Sequence, residues 1–86
     1  MVDDMQTDSD VLDLRDLLCP LPVLKARKRL LAMREGEVLR LEATDPMAVI
    51  DIPHFCNEQG HTLLEQGQRD GVYQFTIRRG RDRPES

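Results

Sequence analysis

The sequence predicts a two-layer α/β sandwich, a mixed four-stranded sheet with two helices on one face, in the order βαβαββ. Three observations lead there. Short runs of alternating apolar residues bracket two stretches of helical spacing, so strands and helices follow one another along the chain. The last two runs flank Gly67-Gln68-Arg69-Asp70-Gly71, a polar, glycine-bounded segment that reads as the turn of a hairpin. Finally, 86 residues supply one small core and no second domain.

Leu12 and Leu14 alternate with Val11, Asp13 and Arg15, which predicts a first strand over 11–16. From Pro20 to Met33, Val23, Ala26, Leu30 and Met33 recur at helical spacing, with Leu24 and Leu31 beside them and Lys25, Lys28 and Arg29 opposite. Gly36 ends this amphipathic helix, and Leu39, Leu41 and Ala43 then form the apolar face of a second strand. Asp45-Pro46 suits a helix start, but Pro53 predicts a break, with an irregular turn over 47–50 and a helix over 52–59 closed by Gly60. Residues 61–66 and 72–78 make the hairpin strands, with Tyr73, Phe75 and Ile77 inward. The expected core is Leu14, Leu24, Leu30, Leu41, Ile52, Phe55, Leu63 and Phe75. The domain is expected over 11–80, between solvated, fraying tails at 1–10 and 81–86.

The chemistry concentrates in Leu17-Leu18-Cys19-Pro20-Leu21-Pro22-Val23-Leu24. Proline is tolerated in a first helical turn because the amide it lacks has no intrahelical acceptor there. Cys19 is then expected at the helix cap. Free backbone N–H groups and the positive end of the helix dipole favour the thiolate at that position, the form that acts as nucleophile. The segment is a strand-to-helix junction, where a rigid scaffold exposes functional atoms, so exposure is expected over burial as a small inert hydrophobe.

These residues, with Leu12-Asp13-Leu14 before them and Arg27-Lys28 after, resemble the TusA-type sulfur carriers, small proteins that hold a persulfide on the cysteine of a Cys-Pro-x-Pro motif. Thr44-Asp45-Pro46 and Asp51-Ile52-Pro53-His54-Phe55-Cys56 look like the family's second helix and its approach. Tyr73-Gln74-Phe75-Thr76-Ile77-Arg78-Arg79-Gly80 looks like its last strand. The resemblance covers roughly residues 11 to 80. It implies a protein-to-protein sulfurtransferase with Cys19 catalytic and Pro20 and Pro22 positioning it, and with no organic cofactor. It implies a cysteine desulfurase or rhodanese-like donor and an acceptor carrier thiol. Within the family the best-known destination is 2-thiolation of the tRNA wobble uridine; other members serve molybdenum-cofactor assembly or sulfur oxidation. Two positions depart from the pattern: Asp16 stands where many relatives have glycine, and Leu18 where a basic residue is common. Loss of that cation leaves the helix terminus, and any basic residue folded nearby, to lower the pKa of Cys19.

The remaining candidates are weaker. Cys56 follows Phe55 on a helical stretch and reads as core; its separation from Cys19 is no Cys-x-x-Cys, which leaves a thiol–disulfide pair only as a rival reading. His54 and His61 read as surface or loop residues, and two histidines with two cysteines at no recognised ligand spacing argue against a metal. Arg27 falls within the helix's apolar arc, as an aliphatic stem laid on the core or as the partner of Asp45 or Asp51. Lys25, Arg27, Lys28 and Arg29 together form either a solvated face or a docking surface for an acidic partner. The formal net charge of −4 and pI near 5.0 exclude broad direct contact with nucleic acid. Two cysteines, no apolar run of bilayer length and no leader predict a cytoplasmic, membrane-free protein, expected as a monomer when free. A non-catalytic regulatory or interaction module, in which Cys19 is incidental, is the second rival.

Overall fold

The first strand, β1 (Val11–Leu14), is followed by α1 (Leu21–Leu31), β2 (Val38–Ala43), α2 (Ala48–Gln59), β3 (Thr62–Arg69) and β4 (Val72–Arg78), in a computed structural model that describes residues 11–81. The strands make one sheet in the order β1-β2-β4-β3. β1 is parallel to β2, with Leu14 opposite Ala43, and β4 is antiparallel to both β2 and β3. This is the mixed βαβαββ sheet that the sequence predicts. Leu14, Leu39, Leu41, Ala43, Phe75 and Ile77 alternate onto one face, where they meet Ala26 and Leu30 of α1 and Ala48, Ile52, Phe55 and Cys56 of α2. The expected tails fall outside the described residues, apart from an exposed Arg81.

Several element boundaries differ from expectation. β1 stops at Leu14 because the chain turns at Asp16, which takes a left-handed φ of 71°. Glycine adopts that conformation without a Cβ penalty, and aspartate is among the few other residues that enter it readily. The hairpin turn is two residues, not five: Asp70 and Gly71 both have positive φ, 52° and 81°, giving the turn twist that lets Gly67, Gln68 and Arg69 pair with Gln74, Tyr73 and Val72.

In α1 the buried stripe is Pro22, Ala26 and Leu30. Leu24 and Leu31 lie on the far side and are 51% and 61% exposed, so Leu24 is not a core residue. Arg27 is exposed as well.

The predicted break in α2 is absent: the helix runs through Pro53. Ala48, Val49 and Ile50 donate to carbonyls three residues back, and Asp51 donates to Met47, so the first turn is already wound before the proline. Pro53 removes only the bond to the Val49 carbonyl and costs about 3 kcal/mol. Against this, Ala48, Ile52, Phe55 and Cys56 share one buried face, and Ile52 and Phe55 alone contribute about 1.5–3 kcal/mol each. Packing outweighs the lost bond.

The C-terminal end of the sheet is more structural than its charge suggests. Arg79, at the end of the expected last strand, is buried; its Nε donates to the Leu30 carbonyl at 2.6 Å and its Nη1 to the Gly80 carbonyl at 2.9 Å. It thus satisfies a carbonyl in the last turn of α1. His61 lies in the loop between α2 and β3, as expected, but is half-buried there: its ring tilts against Phe55 and its Nδ1 accepts a 2.9 Å hydrogen bond from the Gly80 amide.

Burial first, and the Arg79 charge second, push the His61 pKa down. A base whose pKa is depressed by folding binds its proton more readily when unfolded, so the stabilisation is full above the ordinary histidine value and is lost as pH falls through the folded value. The urea midpoint should therefore fall between about pH 7 and about pH 5, and fall less in His61→Gln, which keeps an acceptor but does not titrate. An equal fall in both proteins would remove His61 from the account.

Candidate functional site

Because β1 and β2 are parallel neighbours, the segments that follow them leave from the same end of the sheet. The 15–20 segment after β1 carries the thiol, and the 44–47 segment after β2 leads into α2. Side chains of the second segment hold the first. Thr44 Oγ1 accepts the Asp16 amide at 2.8 Å, and Asp45 Oδ2 accepts the Cys19 amide at 2.6 Å. Asp45 also caps its own side of the junction, where its Oδ1 accepts the Met47 amide at 3.0 Å. This carboxylate is buried, 8% exposed, which is tolerable because both oxygens are hydrogen-bonded.

Pro20, not Cys19, is the residue flanking α1, and Pro22 is the second residue of the helix. Cys19 stands one position earlier, joined to Pro20 by a cis peptide bond. Pro22 is buried and Pro20 exposed, so the second proline of the motif anchors the helix start while the first carries the turn. The Cys19 thiol is exposed, as expected, and Cys56 is buried on α2; both are free.

The expected thiolate character of Cys19 is not what the site produces. Its Sγ lies 3.1 Å from Asp51 Oδ2 on the first turn of α2. The hydrogen bond to Asp51 pushes the thiol pKa up, and desolvation and the negative charges of Asp51 and Asp45 push it the same way. A helix terminus offers roughly half a positive charge. It is outweighed by two carboxylates, one of them in direct contact, so the resting group is a protonated thiol donating to Asp51. Cys56 is also raised, to about 11, by burial.

Asp51 as the partner of Cys19, and Asp45 as the clamp on its amide, are the residues of the candidate site that the sequence reading missed. The signal available was topological: a βαβ unit brings the ends of its two parallel strands together, and Asp45 and Asp51 follow the second one. Neither carboxylate is taken up by Arg27, which remains on the solvent side of α1 with Lys25, Lys28 and Arg29.

Five apolar side chains come from the two segments that meet at the thiol. Leu18, Leu21 and Leu24 flank Cys19 in sequence, Met47 and Ile50 flank Asp51, and each is between 42% and 68% exposed. A concavity among the described residues lies elsewhere, on the open face of the sheet, lined by polar side chains including Arg40, Glu42, Glu65 and Gln74. It contains no thiol. The exposed Cys19 thiol thus stands amid a partly apolar surface, a form suited to contact with another protein.

Fold and site together define a small α/β domain that presents one exposed thiol on a fixed strand-to-helix turn. The family described as sulfurtransferase TusA matches residues 10–79, and the chain belongs to that family. It is 43% identical over 68 residues to the sulfur carrier protein TusA of Allochromatium vinosum, covering 79% of this chain and 90% of that one. It is 40% identical over 76 residues to the sulfur carrier protein TusA of Pseudomonas putida, covering 88% and 95%. The crystal structure of a SirA-like protein from Desulfitobacterium hafniense matches with a TM-score of 0.73 at 25% identity, covering 83% of this chain and 97% of that one. Sulfur transfer between proteins is thus the general activity, and the two-layer α/β fold is the family's. Among the described residues, no helix is long and apolar enough to cross a membrane.

Proposed function

We propose that the transferred sulfur is a sulfane sulfur carried on Cys19 as a persulfide and relayed to the thiol of an acceptor protein. The observation that carries this reading is that Cys19 exposes its Sγ while its backbone is fixed to Asp45. On loading, Sγ bonds to the terminal sulfur of a donor persulfide; the donor's S–S bond breaks and its cysteine leaves as a thiolate. On discharge, an acceptor thiolate attacks the same terminal sulfur and Cys19 leaves in turn. One difficult transfer becomes two thiol exchanges. The donor class is a cysteine desulfurase or a rhodanese-like protein, and the acceptor another carrier thiol.

Pro20 and Pro22 have a positioning role here, since Pro22 is packed into the domain immediately beyond the thiol. Lys25, Arg27, Lys28 and Arg29, all exposed on α1, supply positive charge to steer a partner, with the apolar residues around Cys19 as the contact itself. The burial of Cys56 counts against a Cys19–Cys56 disulfide cycle.

The test is incubation with a cysteine desulfurase and radiolabelled cysteine. The wild-type protein should gain label that reductant removes, and Cys19→Ser should gain none at any donor concentration. Reversal of Lys25, Lys28 and Arg29 to glutamate should slow labelling at limiting donor and recover at saturation, because steering acts on encounter and is screened over roughly 10 Å at ordinary ionic strength. Label retained in Cys19→Ser would sink the proposal.

A further inference from the structure

The carboxylate of Asp51 comes from a different helix than the motif, yet it is in contact with the one atom that the proposed transfer makes and breaks bonds to. We infer that Asp51 is the proton shuttle of sulfur transfer, taking the proton from Cys19 Sγ on loading and returning it on discharge. The inference rests on Cys19 being the sulfur-carrying atom.

The need for a shuttle follows from the charges around the thiol. Those bearing on Sγ are Asp51 and Asp45, both negative, which keep it protonated and therefore weakly nucleophilic at rest. A base already at hydrogen-bond distance lets Sγ attack as its proton departs, without first forming a free thiolate. The Asp51 oxygen, 3.1 Å from Sγ, meets that geometric requirement.

On loading, the new bond joins Sγ to the donor's terminal sulfur, the Sγ proton passes to Oδ2, and the electron pair of the broken S–S bond stays on the donor sulfur. Sγ is oxidised to the persulfide level as the donor sulfur is reduced to a thiolate, so no outside oxidant is required. On discharge the Sγ–S pair returns to Sγ. A thiolate of raised pKa leaves slowly, and delivery of a proton through Oδ2 removes that penalty. One proton leaves Sγ and one returns in each cycle.

The rival is that Asp51 acts only as an electrostatic brake on the thiol. The two roles separate at discharge to a small thiol, where Sγ is the leaving group: a brake raises the pKa of the departing sulfur and slows it, whereas a shuttle supplies its proton. Asp51→Asn keeps size and an acceptor oxygen but loses charge and basicity. Its persulfide, loaded from a low-molecular-weight persulfide, should discharge about 100-fold more slowly than that of wild type, read as the mass loss of one sulfur atom. Asp51→Glu, which restores a base, should recover much of the rate. If discharge is faster in Asp51→Asn, the shuttle is overturned and the brake stands. Discharge in Asp51→Asn equal to wild type also overturns it while leaving Cys19 as carrier. A wild-type protein that takes up no sulfur from this donor or from a desulfurase overturns both readings.

Discussion

Iodoacetamide at neutral pH should label Cys19 of the native protein at least about 100-fold faster than Cys56, and still more slowly than it labels free cysteine. The first half follows from access. Cys56 is 2% exposed, between Phe55 and the core face of α2, and its thiol is pushed up to about 11. A thiol with that pKa is only about 0.01% ionised at pH 7. Its reagent must also wait for local opening of the helix, so its labelling reports stability rather than chemistry. The second half follows from Asp51: Cys19 is exposed, but the carboxylate beside it keeps its proton on. Peptide mapping of partly labelled protein decides both halves. Equal labelling of the two cysteines would overturn their assignment as exposed and buried, and labelling of Cys19 faster than free cysteine would show that the helix terminus prevails over the two carboxylates.

The parts of this fold legible in the sequence are those set by local pattern. Leu39, Leu41 and Ala43 alternate and all three are buried; Phe75 and Ile77 behave likewise; Ala26 and Leu30 repeat at helical spacing and face the sheet. Gly60 closes α2 with a φ of 80°, and the His61 amide reaches back to the Cys56 carbonyl. The thiol's place at a strand-to-helix turn is legible for the same reason, because Pro20 and Pro22 act on their immediate neighbours.

What the sequence conceals depends on contacts between distant segments. Pro53 locally signals a break, and only the shared burial of Ala48, Ile52, Phe55 and Cys56 carries the helix through it. The bonds of Arg79 and His61 show only when the end of β4 is seen against the ends of α1 and α2. The protonation of Cys19 is the consequential instance: the dipole of its own helix is local and predicts a thiolate, whereas Asp51 is 32 positions away and decides the opposite. Local sequence thus locates the exposed thiol, and the crossover between parallel strands sets its surroundings.

Gly80→Ala should destabilise the domain by about 3 kcal/mol or more, a large share of the roughly 5–15 kcal/mol that holds a small domain folded. A Cβ at Gly80 would overlap the carbonyl of Gly60, and that carbonyl is backbone, unable to swing aside as a side chain can. Gly60 is itself fixed, in the left-handed conformation that closes α2. On the other side, Gly80 is held by the hydrogen bond its amide donates to His61 Nδ1 and by the one its carbonyl accepts from Arg79 Nη1. Relief of the overlap must therefore break the helix cap, free a half-buried histidine acceptor or loosen a buried arginine, and each of these costs free energy. Gly67→Ala is the control: it lies in β3 with nothing within 4 Å of the added methyl and without a positive φ, so reduced freedom of the unfolded chain should leave stability unchanged or slightly higher. Urea unfolding should place the two variants at least about 3 kcal/mol apart, and thermal midpoints should differ by at least about 12 °C. A Gly80→Ala protein within about 1 kcal/mol of Gly67→Ala would mean that the end of β4 yields easily, and that its junction with the caps of α1 and α2 contributes little to the fold that holds Cys19 in place.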